Sequence, residues 1–174
     1  MEQLRQRVIY SLSQIIVVSA NKNIYADAML PWMNALSQHA FGNYRDLLRA
    51  VTTSPSMGKY LDLANSTKPG LGAGANENYP RELMQLFTIG LNRLNLDGST
   101  VLNANNQPVP TYTQADVAQL ALALTGWVYG QPPGGSAYEW MGAPLVANPA
   151  NHDSSAKTVL GQAIPAGQTV QADL

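Results

Sequence analysis

Cysteine is absent from this 174-residue chain. That excludes disulfides, thiolate metal ligands and a sulfur nucleophile, although it does not fix the compartment. Charge is scarce as well. Asp, Glu, Lys and Arg make up 12% of the residues, about half of the ~25% usual in a soluble domain. Asn, Gln, Ser and Thr take their place, which suits a protein working outside the cytoplasm. Ten Lys+Arg against eleven Asp+Glu leave a net charge of -1, so there is no basic field to hold nucleic acid or an anionic membrane surface. No apolar run reaches the ~18 residues of a membrane span, so no membrane insertion is expected. The opening "MEQLRQRVIYSLSQIIVVS" lacks the basic head and small-residue cut site of a cleavable signal.

What the chain has is core material, 45% hydrophobic residues, enough for a single domain over 1–174. Helical periodicity begins at Leu4 with no good cap before it, and "GQTVQADL" reads as an element cut after one turn. Together they suggest an internal piece of a larger domain.

Leu4, Val8, Leu12 and Ile15 recur at helical spacing, which predicts an amphipathic helix over 3–18. In "NIYADAMLPWMNALSQHAFG" Pro31 should kink a helix or open a new one, and Gly42 should stop it. Asn43, with Asp46 three residues on, starts a third helix that buries Leu47, Leu48 and Val51. Ser54-Pro55 starts a fourth, ending near Ala64. "NSTKPGLGAGAN" reads as a plain loop, because a phosphate cradle would need a strand before it and Lys-Ser/Thr after it. Asp97-Gly98 and Asn105-Asn106 flank short apolar pieces, as in a small hairpin. Asn95, Asp97 and Ser99 carry one carboxylate between them, which favours a turn over calcium ligation. Thr113, with Asp116 three on, caps a helix with Val117, Leu120, Ala121 and Leu124 on its apolar face. Residues 128–156 look irregular, "KTVLGQAIPAG" has room for one short strand, and no internal repeat is evident. The expected fold is mainly α, an irregular multi-helix bundle with one small β-hairpin and a long Gly/Pro/aromatic loop.

The polar groups concentrate in "NENYPRELMQLFTIG", residues 76–90. Pro80 belongs in the first turn of a helix capped by Asn78 or Tyr79, with Glu82 placed for the helix dipole. Leu83, Leu86, Phe87 and Gly90 should share the buried face, while Arg81, Gln85 and Thr88 run down another. With "LRQRVIYSLSQIIVVS", "HAFGNYRDLLRAVTTSPSMGKYLD", "YTQADVAQLALALTGW" and "HDSSAKTVLG", this stretch resembles a bacterial family catalogued as domain of unknown function 1800. The resemblance spans almost the whole chain. It implies a longer protein, exported in many members, and it implies no catalytic residues, because no activity is established for the family. Pro80 stands where the family usually has a small helix former.

Two constellations carry potential chemistry. Glu77, Arg81 and Glu82 form an acid-base-acid cluster, and His152-Asp153 is the other concentrated titratable set. Brought together, they would suffice for general acid-base catalysis with anion stabilisation, a hydrolase-like reading. Held apart, Arg81 would be expected to be buried and to tie the helix start to its carboxylates. Trp127, Tyr129, Tyr138 and Trp140 are the ligand-binding candidates, able to stack on sugar rings or a partner, or else to lid the core. His39, His152 and Glu77 would bind a metal only if folding joined residues with no short spacing, so neither metal nor cofactor is assigned. The leading expectation is a binding or scaffold module of an exported bacterial protein, with another exported protein as partner. The alternatives are the hydrolase-like enzyme and, for location, the cytoplasm.

Overall fold

A computed structural model describes residues 2–23, 26–136 and 138–174. Six helices supply most of the regular structure: α1 (Glu2–Ile15), α2 (Ala26–His39), α3 (Tyr44–Thr52), α4 (Pro55–Tyr60), α5 (Asn78–Gln85) and α6 (Gln114–Ala123). Among the described residues they are accompanied by a 3-10 turn at Pro149–Asn151 and by two antiparallel pairs, β1 (Trp127–Val128) with β2 (Val146–Ala147) and β3 (Lys157–Val159) with β4 (Gln162–Ile164). The fold is mainly α with small β elements.

Local chemistry explains most of the helix boundaries. Asn43 Oδ1 accepts from the Arg45 N–H at 2.8 Å and caps α3. No reciprocal bond from Asp46 to the Asn43 N–H accompanies it among the described residues. At α6 the box is complete, with Thr113 Oγ1 accepting from the Asp116 N–H and Asp116 accepting from the Thr113 N–H. Pro31 does not break α2, which continues from Ala26 to His39; near the helix start, the missing N–H costs one bond and leaves the rest intact. Helix α4 stops at Tyr60 because Asp62 turns to φ 58°, a left-handed conformation that ends a helix.

The main core gathers Ile9, Ile16, Trp32, Leu36, Leu47, Val51, Met57, Tyr79, Phe87 and Leu124. Its α1 contribution differs from the expected stripe. Ile9 and Ile16 are buried while Leu4 is 57% exposed and Ile15 54%, so the helix is rotated by about one position relative to the periodicity. A run of apolar residues at 8, 9, 12, 15 and 16 allows two overlapping stripes, and packing against α2 selects one. Helix α5 ends earlier than the pattern suggested. Beyond Gln85 the chain tightens, leaving Leu86 exposed and only Phe87 in the core.

Residues 91–111 do not form one hairpin but a closed collar of three extended arms. Single antiparallel bridges join Leu94 to Thr100, Leu102 to Pro108 and Asn92 to Pro110, so each arm meets the other two. The backbone bonds run in a ring: Arg93 N–H to Val109 O, Val109 N–H to Val101 O, and Val101 N–H to Arg93 O, each 2.9 Å. Left-handed residues recur at Gly90, Gly98 and Asn106, eight positions apart. An eight-residue structural repeat is therefore present, contrary to the sequence reading. The repeat is partly written in the sequence, since Leu94-Asn95 and Asp97-Gly98 recur eight positions on as Leu102-Asn103 and Asn105-Asn106, but it is short and the third arm carries none of it.

The β3–β4 segment was expected to hold one strand and holds two, joined by a tight turn at Leu160 and Gly161 with φ 51° and 78°. The Leu160 N–H is taken by Asp116 Oδ1 at 2.7 Å, which fastens this hairpin to the head of α6.

Candidate functional site

The head of α5 explains much of the crowding of polar groups in residues 76–90, because most of them tie the helix start to neighbouring segments. Asn76 Oδ1 accepts from the Asn78 N–H at 2.9 Å, an Asx turn that aims the chain into the helix. Asn78 Nδ2 donates to Asp62 Oδ2 at 3.2 Å. Tyr79 is fully buried, and its hydroxyl lies 2.6 Å from Thr52 Oγ1. Thr52 already donates to Leu48 O, so the tyrosine must be the donor between them. Burial raises the Tyr79 pKa far beyond its ordinary value, keeping the phenol protonated.

Arg81 donates to Glu77 Oε2 at 2.7 Å and to Gln114 Oε1 at 3.0 Å, and Gln114 donates to Glu77 at 2.7 Å. The triangle links the starts of α5 and α6. The expected pairing with Glu77 is present, but the expected burial is not: both side chains are 37% exposed. Glu82 makes no ion pair among the described residues.

His152 and Asp153 sit at a different junction. The turn after α6 brings Thr125 beneath them, and its hydroxyl donates to Leu122 O while accepting from the Asp153 N–H at 2.8 Å. Since Thr125 O is 2.9 Å from His152 Nδ1, that nitrogen carries a proton. His152 is buried, and its Nε2 faces Asp173 Oδ2 at 3.4 Å. Asp173 is held in turn by Lys157. The Lys157 ammonium gives its three protons to Asp153 O at 2.6 Å, Ser155 O at 2.9 Å and Asp173 Oδ2 at 3.1 Å. Burial pushes the Asp153 carboxyl upward, but the Ser155 bonds and the Lys157 charge outweigh it and leave the pKa below its ordinary value. No hydrogen bond or ion pair joins His152 to Glu77, Arg81 or Glu82 among the described residues. No three His, Asp or Glu side chains among them are grouped as a metal would need.

Gly126 lets this junction close. At φ +93° it lies 3.0 Å, measured from the Cβ it lacks, from Asn148 O, His152 Cβ and Val170 Cγ2. Sequence reasoning missed Lys157, Thr125 and Asp173. The four-residue offset from Asp153 to Lys157, in a chain so poor in charge, was the available signal.

The aromatic candidates separate by burial. Trp127 and Tyr129 are buried with Ala28, Met141, Leu145 and Val170 in a second core. Trp140 is half-buried, and Gly142 must lack a side chain because a Cβ there would lie 2.7 Å from the indole nitrogen. Tyr138 is 87% exposed. It edges a groove of ≈ 310 Å³ whose other walls include Tyr129, Asn65 and two ion pairs, Lys22 with Asp62 and Lys59 with Glu139. Asp62 and Asn65 both have positive φ, 58° and 65°. Asp and Asn adopt this left-handed conformation more readily than other non-glycine residues, so the groove wall turns sharply at both positions without strain.

Fold and grooves together define a mainly helical chain with small β elements and an open, polar, aromatic-edged groove. The chain belongs to the family described as "Protein of unknown function (DUF1800)", which matches residues 1–174. No curated protein and no solved structure matches it.

Proposed function

We propose that this chain is a binding module of an exported protein and that the groove beside Tyr138 receives a neutral polyhydroxylated ligand, a sugar. The observation that carries this reading is the exposed Tyr138 ring at the edge of a groove whose charges come in opposite pairs. A sugar ring presents an apolar face to an aromatic and hydroxyls to carboxylates, amides and ammonium groups, and it brings no charge to compensate. The low charge of the whole chain supports a setting outside the cytoplasm. The binding reading is favoured over the hydrolase-like one by the bonds already made: Arg81 is shared between Glu77 and Gln114, and the His152 ring is packed inside the fold.

A panel of oligosaccharides titrated against the labelled protein by NMR tests the proposal. The expected result is saturable shifts at Asn65, Tyr129 and Tyr138 with at least one sugar. Tyr138→Ala should weaken that binding by about tenfold, since aromatic pairing is worth ~1 kcal/mol or more. Its melting temperature should not change, because the ring is exposed. Binding unaffected by Tyr138→Ala, or no shifts with any sugar, would overturn the reading.

A further inference from the structure

A second cleft differs from the Tyr138 groove in composition and shares no lining residue with it. We infer that this cleft, between α3, α5, α6 and the β3–β4 hairpin, binds a single-chain amphiphile with a carboxylate head, that is, a free fatty acid of medium length. Its apolar walls come from Leu83, Met84, Leu120, Val159, Leu160 and Leu174, around ≈ 300 Å³ of space. Thr52 and Thr88 also line it, but their hydroxyls donate to Leu48 O and Leu83 O. The interior therefore offers a ligand little beyond apolar contact.

The head group is specified at the rim. Arg45 and Arg49 both line the cleft from α3, one turn apart and exposed. Neither guanidinium makes an ion pair or side-chain hydrogen bond among the described residues, and no Asp or Glu side chain lines the cleft. Two free forks on adjacent turns match a carboxylate in charge and geometry. The space lies at the low end of the roughly 300–1,000 Å³ of small-molecule sites, which suits one acyl chain and excludes the two chains of a phospholipid. Leu48, Leu83, Leu120 and Leu174 are only partly buried although they pack against the main core, so an acyl chain would find apolar surface to cover there.

Isothermal titration of the intact chain with octanoate, decanoate and decanol, all below micellar concentration, tests this. Decanoate should bind at one site, about fourfold more tightly for each methylene added over octanoate while the cleft fills. Decanol should bind at least tenfold more weakly than decanoate. The double variant Arg45→Met/Arg49→Met, whose side chains are exposed and whose fold is checked by its melting curve, should reduce decanoate to the level of decanol. Absence of saturable decanoate binding, equal affinity for acid and alcohol, or a double variant that binds decanoate as well as the native chain would each overturn the proposal. Saturable binding of the alcohol alone would assign the cleft to a neutral apolar ligand.

Discussion

Lys157 and Arg81 are both paired cations, and their surroundings give them opposite consequences. The Lys157 and Asp173 side chains have no exposure, so removing the ammonium leaves a carboxylate stranded away from water. Lys157→Met should lower the unfolding free energy by about 3–5 kcal/mol, read from urea denaturation. Arg81 and Glu77 are screened by solvent at 37% exposure, so Arg81→Met should cost no more than ~1 kcal/mol. The same experiment checks both. Equal losses would show that exposure does not separate the two pairs. From sequence alone Arg81 looked like the costly residue, since Glu77 lies one helical turn before it and Glu82 directly follows it. Spacing reveals that a pair can form, while its worth depends on neighbours that spacing does not contain.

Among the elements, α6 carries more than its own cap. Asp116 Oδ2 completes the capping box with Thr113, and Oδ1 accepts the Leu160 N–H from the β3–β4 turn. The Thr113 side-chain bond, its backbone bond and the Leu160 bond all favour the carboxylate, so the Asp116 pKa lies below its ordinary value. A group with a depressed folded pKa stabilises above its unfolded pKa, and that contribution disappears as pH falls through the folded value. The stability gap between the native chain and Asp116→Asn should therefore be present at neutral pH and close below about pH 4. A gap independent of pH would contradict the role of the charge. The Thr113-Asp116 box was legible from sequence because its partners are three residues apart. The Leu160 bond was not, because it spans 44 residues.

For the whole molecule, one consequence is an apolar surface that folding leaves uncovered. Leu91, Leu94, Leu96 and Leu102 are exposed on the collar, and Leu86 and Ile89 are exposed just before it. Exposed apolar groups so close together in a folded chain mark an interaction surface or an association hazard. The native protein should bind a hydrophobic dye, and the triple replacement of Leu94, Leu96 and Leu102 by Ser should reduce that signal without lowering the melting temperature. An unchanged signal would place the dye elsewhere. No helix among the described residues is long and apolar enough to cross a membrane, so membrane-spanning helices do not explain this surface.

By itself the sequence determined the features whose causes lie within a few residues: the helical class, the Asn43 and Thr113 caps, Pro80 in the first turn of α5, and the turns at Gly98 and Asn106. Each is an interaction between neighbours along the chain, so pattern and spacing suffice. Tertiary structure alone decided which face of α1 is buried, that three arms close into a collar, and that His152 turns to Thr125 and Asp173. It also decided that Tyr129 is buried while Tyr138 stands at the groove. These outcomes depend on which distant surfaces meet and on how much water they exclude. Burial and pairing are properties of the assembled core, and the same residue type takes either role according to what packs against it.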